Sequence, residues 1–121
     1  MGPRELGRQA EVAVADCLFV QGFDILWRNL RVGALELDVV ARRGPLAVVV
    51  EVRTRRRGAM VGPFESVGAV KRRRLLLATS RLWDRHLRQI RGVQRLRIDV
   101  AAVTFDRGQT CVTYAEGAIS G

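Results

Sequence analysis

Eight residues constrain this chain more than any others. Leu46-Ala47-Val48-Val49-Val50-Glu51-Val52-Arg53 is a run rich in β-branched residues and apolar at both odd and even positions. Such a segment is stable as a central strand covered on both faces, which requires a sheet with helices above and below. The same run contains Glu51. A carboxylate taken out of water without a partner is costly, so Glu51 needs a cation, a metal or strong hydrogen bonds.

The flanking sequence supplies the other layers. Leu6, Ala10, Ala13, Val14, Cys17 and Leu18 recur at helical spacing ahead of Gly22, which predicts an amphipathic helix over roughly 4–21 with a left-handed glycine after it. Phe23–Leu30 and Leu35–Ala41 read as strands joined at Val32-Gly33-Ala34, and Arg42-Arg43-Gly44-Pro45 reads as a turn into the central run. Thr54–Pro63 is expected to be a solvated loop, Phe64–Leu87 a second helix, and Arg88–Arg95 a basic connection. Leu96–Phe105 and Gln109–Tyr114 are the last two strands, around a turn at Asp106-Arg107-Gly108. The order is αβββαββ, an α/β domain with a mixed sheet flanked by helices. With 121 residues there is room for one such domain, 1–121.

Composition narrows the function classes. Net charge is +9, from 21 Lys+Arg against 12 Asp+Glu, and Lys71 alone among the cations is lysine. A polyanionic partner, most economically nucleic acid, is the expectation. One histidine, His86, and two distant cysteines, Cys17 and Cys111, leave no room for a histidine-rich metal site or a disulfide framework. Buried spectator thiols are expected. No apolar run reaches the about 18 residues of a membrane span, and the start has no secretory h-region, so a cytoplasmic protein without membrane contact is expected.

The chemistry lies where acids interrupt apolar strands. If the hairpin closes around Gly44-Pro45, paired residue numbers sum to 89, placing Asp38 opposite Glu51 and Glu36 opposite Arg53. Two facing carboxylates repel, and a hard divalent cation between them is the usual remedy; oxygen ligands suit Mg²⁺ or Mn²⁺. Salt bridges to Arg53 and neighbouring arginines are the alternative. Glu11 sits on the apolar flank of the first helix and Lys71 on that of the second, each either aimed at the same pocket or solvated.

Trp27-Arg-Asn-Leu-Arg31, Gly33-Ala-Leu-Glu-Leu-Asp38 and Val48-Val-Val-Glu-Val-Arg-Thr-Arg55 together resemble the YraN family of small endonuclease-like proteins. The resemblance continues through Phe64-Glu-Ser-Val, Lys71-Arg-Arg-Arg-Leu and Arg97-Ile-Asp-Val. It implies the PD-(D/E)XK nuclease superfamily, a restriction-endonuclease-like core similar to Holliday junction resolvases, and with it a homodimer. By the same resemblance Asp38 and Glu51 are metal ligands, Glu36 belongs to the Glu-Leu-Asp motif as a supporting acid, and Glu11 is the helix acid completing the site. Arg53 stands where the superfamily has lysine; guanidinium can screen a phosphate but is too basic to accept a proton. Lys71 is the candidate substitute.

Arginines complete the reading. Arg42, Arg43, Arg55, Arg56 and Arg57, with Arg72, Arg73 and Arg74 beside Lys71, are candidate phosphate contacts bringing DNA to the acids. Metal-dependent phosphodiester hydrolysis on DNA, of branched or repair intermediates, is the leading expectation. A catalytically reduced nucleic-acid-binding module and a basic assembly factor without nuclease activity are the alternatives.

Overall fold

A computed structural model describes residues 2–56 and 67–120, the side chain of Arg56 aside. Helix α1 spans Pro3–Val20, β1 Asp24–Val32, β2 Leu35–Arg43, β3 Leu46–Arg56, helix α2 Ala69–Arg85, β4 Arg95–Asp106 and β5 Gln109–Ile119, with a short 3₁₀ turn at Leu87–Gln89. The five strands form one sheet in sequential order, antiparallel except for the central β3–β4 pair, which is parallel from Leu46↔Arg95 to Arg56↔Phe105. The expected αβββαββ order and mixed sheet are what the molecule has.

β3 is central because both its faces are apolar. Val48 and Val50 pack with Val39, Ala41, Ala101 and Val103 beneath Ala10, Val14 and Leu18 of α1. Val49 and Ala47 pack with Val40, Ile98 and Val100 against Leu75, Ala78 and Leu82 of α2. Each fully buried valine stabilises the fold by about 1.5–3 kcal/mol relative to exposure. Gly22 ends α1 at φ +91°, and the Phe23 N–H returns to the Leu18 carbonyl at 3.0 Å.

Several boundaries differ from the sequence expectation, in one direction for the strands. β2 runs through Arg43, β3 through Arg56 and β5 to Ile119. Arginine suits strand ends, because its aliphatic stem covers the sheet while its head stays in water. In α2, Val67 and Gly68 precede the helix, which opens only at Ala69; residues 64–66 lie outside the described residues. Cys111 is exposed on β5, against the expected burial. Among the described residues, no helix is long and apolar enough to cross a membrane.

Candidate active site

The β2–β3 hairpin has the register in which paired numbers sum to 89, from Arg43↔Leu46 to Val39↔Val50. There the ladder stops. In a regular strand Leu37 and Val39 would share a face. Here Leu37 joins Val40 on the α2 side, while Val39 and Ala41 pack on the α1 side. β2 therefore turns over at Asp38. Across from Asp38, between the Arg28↔Val39 and Leu30↔Leu37 rungs, β1 places Asn29 at φ +55°, a left-handed conformation asparagine tolerates.

The turn-over aims the Asp38 carboxyl at β3. Val52 N–H, a donor the broken ladder no longer serves, donates to Asp38 Oδ2 at 2.8 Å. The Glu51 side chain stands beside the Asp38 carboxyl. Burial, first, and then the neighbouring Glu51 side chain push Asp38 up to about 8; the Val52 N–H opposes this, and the charges of Glu51 and Glu11 add to it. Glu51 is buried, and Lys71 Nζ reaches to 3.4 Å from its Oε2 across the α2 side of the sheet. Lys71 keeps nearly half of its side chain in solvent. It therefore joins the acid pair while remaining accessible.

The other candidate residues are distributed around this centre. Arg53 feels both Glu51 and Arg55; its burial and the Arg55 charge lower its pKa, with Glu51 opposing. Arg72, Arg73 and Arg74 are exposed on the first turns of α2. Glu36 is not opposite Arg53. It is exposed and pairs with Arg31 of β1, because the β2–β3 ladder has already opened at Asp38. Glu11 and Glu36 instead share a groove beside α1 with Arg4, Gly7, Arg8 and Asn29. Among the described residues no three His, Cys, Asp or Glu side chains form a metal-holding group. The acid centre is thus a pair, with Glu11 acting on it through charge.

Arg42 and Arg43 lie five residues or so along β2 from Asp38, at the opposite end of the strand, about 15 Å away. They are also occupied. Arg42 donates to the carbonyls of Gly44 and Arg91, at 3.3 and 3.0 Å. Arg43 donates to the Gln21 carbonyl at 3.1 Å and lies over the Phe23 ring at 4.5 Å. These two arginines lock the hairpin turn to the ends of other elements and do not flank the acids. Arg57 lies outside the described residues.

The fold holds a second buried acid. Asp99 on β4 is fully buried. Arg97 donates to it twice, at 2.8 and 3.0 Å, Gly117 N–H donates at 2.8 Å, and the Tyr114 hydroxyl donates as well. Burial and that last bond hold the Tyr114 phenol far above its ordinary range. Asp99 interrupts the apolar run from Leu96 to Val103 as Glu51 interrupts β3. The same sequence signal could have found it.

The family model of the uncharacterised protein family UPF0102 matches residues 10–103. The chain belongs to that family. A UPF0102 protein of Sorangium cellulosum is 50% identical over 102 residues, covering 84% of this chain and 71% of its own. One from Anaeromyxobacter dehalogenans is 42% identical over 120 residues, 99% of this chain and 87% of its own. One from Gloeobacter violaceus is 41% identical over 93% of this chain and 90% of its own. The YraN resemblance is therefore borne out at the level of the family. Among solved structures, SfsA of Pyrococcus furiosus in complex with Ca²⁺ aligns with 97% of this chain and 64% of its own, at 16% identity and a TM-score of 0.41. The UPF0102 match includes Glu11, Asp38, Glu51, Arg53, Lys71 and Asp99, and excludes the β5 donors to Asp99.

Proposed function

We propose that this protein is a metal-dependent nuclease of restriction-endonuclease-like fold, acting on phosphodiesters of DNA, with Asp38 and Glu51 as the ligands of Mg²⁺ or Mn²⁺. The observation that carries the reading is the placement of two acids side by side in the sheet, Asp38 held by the Val52 N–H and buried Glu51 reached by Lys71. Two carboxyls held together by the fold need something positive between them, and Mg²⁺ is commonly bound through one or two carboxylates, with water and substrate phosphate completing its shell. The donor set is hard oxygen, so the residues present fit the ion.

When bound, such a cation acidifies water and offsets charge on the reacting phosphate. The chain's own groups supply the remaining tasks. Val52 N–H fixes Asp38 in place, and Glu51 is oriented by Lys71. Lys71, accessible at one edge of the acids, donates the hydrogen bonds that orient the attacking water, from a compact amine that the planar guanidinium of Arg53 does not offer. Arg53 screens the phosphate. Arg72, Arg73 and Arg74 engage neighbouring phosphates by charge, which gives affinity without base sequence.

The test is cleavage of duplex, nicked, flapped and four-way-junction DNA with Mg²⁺ or Mn²⁺, with Asp38→Ala as control. Metal-dependent cutting that Asp38→Ala removes is expected. Salt-sensitive DNA binding with no cutting under any condition would favour the reduced binding module, and the loss of lysine at position 53 would be its physical reason.

A further inference from the structure

A second concavity opens one helical turn from Lys71. Val32, Ala34 and Leu35 of the β1–β2 hairpin line it on one side, and Leu77, Ala78, Arg74 and Arg81 of α2 on the other. Its volume is about 210 Å³, below that of pockets for drug-sized ligands and suited to one planar ring. Leu77 is 53% exposed, an unusual exposure for a leucine lining a groove.

Position relative to the acids gives the groove its meaning. Lys71, Arg74, Ala78 and Arg81 follow one stripe of α2, with Arg74 about 4.5 Å and Arg81 about 15 Å along the axis from Lys71. Leu35 is three residues, about 10 Å, from Asp38 along β2. The groove thus leads away from the acid pair on the same side of the sheet as Glu51 and Lys71. Gly33 shapes it. At φ +62° it makes the hairpin turn, and a Cβ there would stand 2.8 Å from Arg81 Nη1, so glycine lets the guanidinium lie against the turn.

An apolar floor between two guanidiniums matches a ligand that is apolar in its plane and anionic along its edge. We infer that the groove receives one unpaired nucleotide of the bound strand, its base against Leu35, Leu77 and Ala78 and its phosphates on Arg74 and Arg81. A paired base is buried in its own stack and cannot enter. Unpaired bases, by contrast, can be turned out of the stack, held between apolar side chains and laid on arginine planes. This inference rests on the nucleic-acid reading above and adds the substrate class: DNA with unpaired nucleotides next to the acid site.

The experiment measures binding without cleavage. The full-length protein, in chelator, is titrated against a fluorescein-labelled duplex and the same duplex bearing a short unpaired flap, and the ratio of the two affinities is read. Wild type is expected to favour the flap by about tenfold, the worth of roughly 50 Å² of apolar surface taken out of water. Leu77→Ser is uncharged and at an exposed position, and should reduce that preference at least fivefold. Ala34→Gln, which fills the groove from the opposite wall, should do the same. An unchanged ratio in both folded variants, or a wild type that favours duplex, overturns the groove and leaves the nuclease reading standing. No binding to either DNA, with binding to an acidic peptide that Leu77→Ser weakens, overturns both and assigns the groove to a protein partner.

Discussion

Asp38 and Asp99 are the same side chain under opposite conditions. Both interrupt apolar strands, and both lie beside central β3 or on its parallel neighbour β4. Asp99 accepts from Arg97 twice, from Tyr114 and from Gly117, so its charge is met on every side. Asp38 accepts one main-chain donor and otherwise faces another acid. A carboxylate surrounded by donors is a fastener. A carboxyl held against a second carboxyl is pushed to a raised pKa, and the fold gives up stability to keep it there.

The contrast breaks most sharply under truncation. Asp38→Ala should lower metal-dependent cleavage by about 10²–10³-fold while the protein stays folded, as judged by circular dichroism. Asp99→Ala should instead cost about 2–3 kcal/mol in urea unfolding, because half-buried Arg97 and Tyr114 and the Gly117 N–H would lose their common acceptor. Equal destabilisation by the two substitutions would erase the distinction.

Next in size is the lysine. Lys71→Ala should reduce cleavage about 10²-fold, and adding Arg53→Lys to that variant should restore part of it by returning a compact amine to β3. If Lys71→Ala leaves cleavage intact, its contact with Glu51 is only a surface ion pair.

The pH response separates the acids without any assay of activity. Burial and the neighbouring Glu51 push Asp38 up to about 8 from the ordinary carboxylate range, so the folded state holds an extra proton over that interval. Its stabilising contribution is complete below about pH 4 and is lost as pH rises towards 8. The melting temperature should fall across that window in metal-free buffer, and Asp38→Asn should flatten the slope. A wild-type slope that Asp38→Asn leaves unchanged would mean the proton sits elsewhere.

The smallest effect distinguishes the arginines. Arg73→Ala should reduce the salt slope of DNA binding by about 0.9, one phosphate's worth. Arg43→Ala should leave that slope alone and cost about 1 kcal/mol of stability, through the Phe23 ring and the Gln21 carbonyl.

What could be read in advance follows from which interactions are local. Alternation, three glycine turns and a doubly apolar strand specify αβββαββ and the register that sums to 89, since each acts over a few residues. The turn-over of β2 at Asp38 is not periodic, so Glu36 was expected opposite Arg53 when its partner is Arg31. Arg42 and Arg43 were read by charge alone, whereas acceptors distant in sequence, at Gln21 and Arg91, fix their role. Whether Lys71 reaches Glu51 depends on how α2 lies across the sheet, and no spacing in the chain encodes that. Asp99 carried the same signal as Glu51, but its donors come from β5 and only the folded sheet gathers them.

The parallel pairing of β3 with β4 also sets an order of assembly. Asp38 and Glu51 belong to a hairpin whose rungs join residues about a dozen positions apart or fewer, and such hairpins form in about 1–10 μs. Leu46 meets Arg95 only after about fifty residues, α2 among them, have been drawn into a closed loop, and nonlocal closures of that kind are slow. The acids therefore belong to the most local part of the sheet, while Lys71, twenty residues beyond Glu51, reaches them only because α2 is packed across it.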